Sequence, residues 1–453
     1  MTTLRTQDKP TATTAIRFTD ALRFWLKLGF VSFGGPAGQI AIMHEELVER
    51  RRWISEKRFL HALNYCMVLP GPEAQQLATY IGWLLHRLPG ALAAGILFIA
   101  PSLALLIALS WIYIAYGNQP LIAGIFYGIK PVVTAIVLQA AFRIGSRTLQ
   151  NGMLWTIAVA AFIAIFVFHA PFPAILLGAA LIGTGGSRLA PHYFRQRSAQ
   201  QPRTASDAPT MIDDDSPVPA HARFSYLGLT KIIACGFLLW SLPLALLVWL
   251  YGWQGLPTQL GWFFTKAAWL TFGGAYAVLP YVYQGAVSGY GWLSAAQMID
   301  GLALGETTPG PLIMVVSFVG FIAGYTHPLF DHHLSGNAFL SGAFAATLVT
   351  YFTFLPSFLL ILGGAPLIES THNDVKFTAP LTAITAAIVG VIVNLAVFFA
   401  RQVMWPHGLA AELDAAACAI AVCAAVALLR YRLNILWVLL GGAATGLLWS
   451  LLR

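Results

Sequence analysis

"NYCMVLPGPEAQQLATYIGW", residues Asn64 to Trp83, lies in a chain that is otherwise mostly apolar. Pro70-Gly71-Pro72 interrupts what would be a hydrophobic helix, and Glu73, Gln75 and Gln76 follow at once. Proline and glycine stop helices. A carboxylate and two amides are the groups a bilayer rejects unless they face protein, water or a solute. A break and a polar cluster in one membrane segment therefore point to a solute path and not to a plain anchor.

The surroundings support a membrane reading. Of 453 residues, 58% are hydrophobic and only 10% charged, with a mean hydropathy of +0.71. Leu88–Ile129, Thr148–Ser187, Ile232–Thr265 and His332–Ile368 contain no Asp, Glu, Lys or Arg. Each is long enough for a span of about 20 residues. Continuous apolar runs mean helices, because barrel strands alternate. Met1–Phe18 is polar and lacks the apolar core of a signal peptide, so a bacterial-type inner-membrane protein with a cytoplasmic N-terminus is expected. The net charge of +8 is the usual positive-inside excess, and no basic tract interleaved with aromatics suggests nucleic acid. Cys66, Cys235, Cys418 and Cys423 sit in apolar stretches without metal-ligand spacing and read as packing residues.

The break is duplicated. Ser32–Gly35 "SFGG" recurs as Thr271–Gly274 "TFGG", "RWIS" around Trp53 as "GWLS" around Trp292, and Leu69–Pro72 "LPGP" as Thr308–Pro311 "TPGP", all 239 positions on. "APSLALL" at Ala100 recurs as "LPSFLLI" at Leu355 at an offset of 255, which also pairs Gln139 with Asn394. The added residues fall in the polar loop Tyr325–Asn337. Tandem repeats of this kind are common in transporters.

The expected fold is all-α and polytopic: two inverted homologous halves of about six hydrophobic segments each, one extra linking span, and broken or re-entrant helices. The expected divisions are a cytoplasmic tail (1–18), a first repeat (19–187), a polar linker (188–224), an extra span (225–252) and a second repeat (258–453). Inversion is inferred from charge. Arg50, Arg51, Arg52, Lys57 and Arg58 crowd one loop, whereas its counterpart Tyr283–Asp300 has no Lys or Arg. If the first two segments of each half dip in and return, Arg143, Arg147, Lys376, Arg430 and Arg432 also fall inside, with Arg401 and Arg453 outside.

Several residues are candidates for chemistry. Gly34, Gly35 and Gly38 around Pro36, with Gln39 beside them, can curl backbone N–H groups into an anion nest at a helix start. The same glycines also suit close helix packing. Pro70, Gly71 and Pro72 would shape the site with them, opposite Gly273, Gly274, Pro309, Gly310 and Pro311. Lys130, amid apolar residues, is either a counter-charge or a snorkelling lysine. Glu73, Glu306 and His44 are gating or coupling candidates; Glu73 also suits a helix cap, and Leu312 replaces it in the second half. His327, Asp331, His332 and His333 lie in the loop insertion and are not read as a metal site. No nucleotide-binding loop, His-Glu-x-x-His or nucleophile-elbow signature is present, so no enzyme and no ATP-driven pump is expected, and no cofactor.

"FGGPAGQIAIMHEELVERRRWISEKRFLHALNYCMVLPGPEAQQLATYIGW" and "TFGGAYAVLPYVYQGAVSGYGWLSAAQMIDGLALGETTPGPLIMVVSFVGF" together resemble the two signatures of the long, two-domain form of the chromate transporter family. The likeness covers nearly the whole chain except the linker and termini. Ala275 departs from a glycine triplet often seen there. The resemblance implies chromate efflux and chromate resistance, with sulfate or another tetrahedral oxyanion as the alternative cargo. A non-transport membrane enzyme or scaffold is the other rival. The implied partners are chromate and the lipid bilayer, with homodimerisation left open.

Overall fold

A computed structural model describes residues 16–33, 35–117, 119–189, 224–327, 338–370, 378–406, 408 and 412–452. Sixteen α-helices and no strand form among them. The first half holds α1 (Phe18–Val31), α2 (Gly35–His44), α3 (Glu56–Val68), α4 (Glu73–Tyr116), α5 (Pro120–Thr148), α6 (Gly152–Phe166) and α7 (Phe172–Leu189). α8 (Tyr226–Tyr251) links it to the second half. That half holds α9 (Leu256–Trp269), α10 (Ala275–Tyr283), α11 (Ala295–Thr307), α12 (Val315–Thr326), α13 (Ala338–Ser370), α14 (Thr378–Met404), α15 (Ala415–Leu429) and α16 (Ile435–Leu452). Six of them, α4, α5, α8, α13, α14 and α16, are long and apolar enough to cross a membrane. Gly34, most of the linker, the 328–337 loop with His332 and His333, Lys376 and Arg453 lie outside the described residues.

The hydrophobic stretch 19–43 is two helices. α1 buries Ala21, Phe24, Trp25, Leu28 and Gly29, the i, i+3, i+4, i+7, i+8 stripe of an amphipathic helix. It ends where the Ser32 hydroxyl donates back to the Leu28 carbonyl at 2.6 Å. The segment over 59–86 is also broken, into α3 and the first stretch of α4. α4 itself turns at His86 and Arg87, whose backbones leave helical geometry. Its 73–85 arm is about 20 Å long at 1.5 Å per residue, short of the ~30 Å hydrocarbon core. α1, α2 and α3 are no longer than 14 residues, so none of the four crosses alone.

The repeat extends into the backbone. A π-helical turn at Glu45–Arg50 recurs at Gln284–Gly289. Left-handed φ angles at Arg52 (53°) and Gly291 (66°), Gly35 (71°) and Gly274 (93°), and Gly71 (131°) and Gly310 (107°) recur at the same 239-residue offset. Ser55 and Ser294 cap α3 and α11 alike. Beyond α14 the offset grows to 263. α6 and α7 then map onto α15 and α16 residue for residue, the caps Asn151 and Asp414 correspond, and so do His169 (φ 51°) and Arg432 (φ 52°).

The halves interlock. α5 packs on α15 and α16, while α14 packs on α6 and α7. Close approach needs small residues: a Cβ on Gly128 would meet the backbone of Gly446 at 2.8 Å, and one on Gly183 would meet Pro380 at 2.8 Å. At the centre the Gly71 N–H donates to the Thr271 carbonyl (2.7 Å) and the Gly310 N–H to the Ser32 carbonyl (2.9 Å). Residue i of one half meets j of the other, and j meets i, the mark of a two-fold relation. Each bond joins a Pro-Gly-Pro break to the Phe-Gly-Gly break of the opposite half. Apolar surroundings make such unpaired backbone groups costly, and the crossing satisfies them. α8 stands at the edge, with Trp249 and Leu242 turned outward.

Candidate anion site

A cavity of about 450 Å³ opens beside the central crossing. Three helices begin at its wall: α2 at Gly35 and Pro36, α10 at Gly274 and Ala275, and α4 at Glu73. Helix starts carry unpaired N–H groups and the positive end of the helix dipole, so together they favour an anion. Gly273 (φ 77°) and Gly274 (φ 93°) take consecutive left-handed conformations that a side chain would resist. Glu73 points at that turn: a Cβ on Gly274 would stand 3.8 Å from its Oε1.

The cations of the wall are Arg143 and Arg147. They lie one turn apart near the C-terminal end of α5 and so share a face. Arg147 supplies the positive field at Glu73, and Arg143 the field at Tyr276 and Glu306. A vestibule of about 730 Å³ continues outward, lined also by Gly38, Ser146 and Arg432. The two spaces share Ala37, Gln139, Arg143, Arg147 and Ile435. An anion entering this way meets arginine first and helix starts last.

The sequence-derived candidates separate into groups. Gly35, Pro36, Gly273, Gly274 and Glu73 line the cavity, and Gly38 the vestibule. Gln39 is buried and turned the other way, its Nε2 donating to the carbonyls of Gly310 and Ser32. Gly71 and Gly310, with Pro70, Pro72, Pro309 and Pro311 around them, form the crossing and do not line the cavity. Glu306 stands behind the wall and accepts from the hydroxyl of Tyr276, which does line it. Lys130 is not in the wall: its Nζ is 3.3 Å from Asp300 Oδ2, which also accepts from Tyr113 Oη at 2.8 Å. His44 belongs to an ion cluster with Glu49 and Glu56 beside the Arg50–Arg52 turn. Gly34 lies outside the described residues.

Sequence reading placed Arg143 and Arg147 only as charges that mark a membrane side. Their i, i+4 spacing was the available signal, but nothing local said that α5 would bring them against Gly35 and Gly274. No His, Cys, Asp or Glu cluster suited to a metal ion occurs among the described residues.

Comparison with known proteins adds the family. The model of the family described as "Chromate transporter" matches residues 19–184 and 258–447, one match per half. The "Chromate transport protein" of Pseudomonas aeruginosa is 32% identical over 81% of this chain and 77% of its own length. That of Cupriavidus metallidurans is 27% identical over 84% of this chain and 82% of its own. The "Uncharacterized transporter YwrA" of Bacillus subtilis is 34% identical over 26% of this chain and 65% of its own length. No solved structure matches. With both repeats matched and both broken segments in place, the chain belongs to the chromate transporter family.

Proposed function

We propose that the protein is a secondary-active carrier that exports chromate across the inner membrane and thereby confers chromate resistance. The observation that carries this reading is the joining of Arg143 and Arg147 to the starts of α2 and α10 in one cavity. Chromate is a tetrahedral dianion that must lose hydration on entering the membrane. Two guanidinium groups and ranked N–H donors replace that hydration. The relatives named as chromate transport proteins support this cargo over others of the same shape.

Charge supports the direction. Arg143, Arg147 and Arg432 line the vestibule and, by the positive-inside tendency, put that end in the cytoplasm. The cavity is then inward-facing and loads from the cytoplasm. Moving a dianion out of an inside-negative cell is favoured by about 4–5 kcal/mol per 100 mV. No nucleotide is needed for that force.

Glu73 is the coupling group in this reading. Ionised, it offsets one arginine of the empty site. Protonated, it leaves two positive charges for a dianion. Anion binding from the cytoplasm therefore takes up a proton at Glu73, and release on the far side gives it up. One proton thus leaves with each dianion, and the net charge moved is a single negative one, favoured by about 2.3 kcal/mol per 100 mV. Gly71 and Gly310 hold the crossing about which the halves rock, in an inverted arrangement with the site between them.

Uptake of labelled chromate and sulfate into everted membrane vesicles tests the proposal. Chromate accumulation that responds to the membrane potential is the expected result. Sulfate moving well while chromate does not would assign the site to sulfate, and no movement of either would end the transport reading.

A further inference from the structure

A second vestibule, of about 400 Å³, is lined by Ile165, Phe166, His169, Asn394, Phe398 and Arg401, among others. It shares no lining residue with the anion cavity. Its residues are not an arbitrary set. At an offset of 255, Gln139, Phe142, Arg143 and Ser146 of the first vestibule become Asn394, Val397, Phe398 and Arg401 of the second. At 263, Ile165, Phe166 and His169 become Leu428, Leu429 and Arg432 of the first. The repeat has therefore made the same hollow twice, each time from residues of both halves.

Divergence between the copies is informative. Where the first has Arg432 at a left-handed corner, the second has His169 at the same corner. Where the first has Ser146, the second has Arg401. An N–H donor and a cation are thus retained, but redistributed. At the inner end the arginine of the first copy, Arg143, becomes Phe398. The Phe398 ring packs on Tyr283 with centroids 4.5 Å apart. That aromatic pair stands where the first copy is open and charged, and Phe399 backs it.

We propose that this second vestibule is the anion-release site on the opposite membrane face, with His169 and Arg401 as its oxyanion ligands and the Tyr283–Phe398 pair as the closure between it and the central cavity. The inference rests on the transport reading above and on inverted halves. It adds a site of defined chemistry: tetrahedral oxyanions, held more weakly than at the cavity because one cation replaces an arginine pair. Weak binding suits release, since an exit site that held its ion tightly would limit turnover. The polar atoms of Gln284, Ser288 and Asn394 line the same space and can take part of the lost hydration.

Two measurements test it. The four native cysteines are replaced by serine, and cysteine is introduced at the corresponding positions Phe142 and Val397, one per variant. A membrane-impermeant maleimide is expected to label Phe142→Cys in everted vesicles and Val397→Cys in right-side-out vesicles; labelling of both from one face overturns the inference. In the second, chromate is presented in turn to each face. Arg401→Gln, which removes the cation, is expected to shift the ratio of the two KM values by about threefold to tenfold toward weaker binding at the Val397 face, the size of effect that a lost steering charge produces. His169→Phe, which removes the N–H donor, is expected to shift it the same way. Arg401→Lys keeps the ratio within about twofold of the parent, and Arg432→Gln shifts it the other way. A ratio unmoved by Arg401→Gln and His169→Phe in correctly inserted protein overturns the assignment. Parent vesicles that move no oxyanion would instead sink the transport reading, while the labelling pattern still decides whether the two hollows face opposite sides.

Discussion

The backbone N–H of Gly71 donates to the carbonyl of Thr271 at 2.7 Å, across 200 residues of sequence, and the Gly310 N–H returns the same bond to Ser32 at 2.9 Å. The Pro-Gly-Pro turns that hold these glycines are seated on the opposite half's long helix as well. A Cβ on Gly310 would fall 2.7 Å from Ser102 Cβ, and one on Gly71 would collide with Ser357 and Gln76. Ser102 and Ser357 are themselves equivalent, each following a helix-interior proline. The centre of the molecule is thus a backbone joint whose conformation and space both call for glycine.

Gly71→Ala and Gly310→Ala are each expected to lower stability by about 1–3 kcal/mol from backbone strain alone, before the collisions are counted. Thermal unfolding of the detergent-purified protein measures this. Adding Ser102→Gly to Gly310→Ala should recover part of the loss by removing the collision, but not the strain. Full tolerance of both alanines would contradict the geometry.

Arg143→Gln and Arg147→Gln should each weaken chromate binding about tenfold to a hundredfold, the worth of a charge-assisted hydrogen bond of ~1.5–3 kcal/mol. Lysine at either position should restore part of the affinity, because it keeps the charge and loses the planar fork. Binding measured by tryptophan fluorescence or calorimetry is the check, and unchanged affinity in both variants would remove the arginines from the site.

Glu73 makes a pH prediction. If a proton enters with the anion, affinity falls as pH rises through the range in which Glu73 ionises in the empty site. Glu73→Gln mimics the protonated form, so its affinity should match the parent at low pH and stay flat as pH rises. A Glu73→Gln protein that keeps the parent's pH profile would assign the proton elsewhere.

Lys130 and Asp300 predict a double-mutant cycle. Asp300 is buried, and its partner is partly exposed. Lys130→Met leaves a carboxylate without its cation and should cost about 2–3 kcal/mol, less than for a fully buried pair. Removing both charges with Lys130→Met and Asp300→Leu should cost less than the single change. A chromate KM that rises far more than stability falls would return Lys130 to the anion path.

Much of this was readable from the chain, for a physical reason. Glycine and proline at a forced break leave a mark that drift cannot erase, so Gly35, Gly71, Gly274 and Gly310 announced the repeat without any structure. Helices facing lipid leave no such mark. Many apolar residues serve there, and the correspondence of α6 and α7 with α15 and α16 became visible only through equal lengths, caps and the φ angles of His169 and Arg432. Lys130 looked like an orphan because its partner is far away in sequence. Arg143 and Arg147 looked like loop charges because only the packing of α5 against the two Phe-Gly-Gly breaks turns them inward. In the sequence alone Pro70–Pro72 and Pro309–Pro311 suit the walls of a site; in the fold they serve as the joint on which the walls hang.

That joint has a consequence for how the protein is made. Each half leaves its central N–H and carbonyl groups to be met by the other, so neither has a finished interior by itself. A gene split between the codons for Leu189 and Phe224 should yield two fragments that are degraded when produced separately and accumulate when produced in the same cell. Co-purification of the two through a tag on only one would show a single membrane protein assembled without a continuous chain.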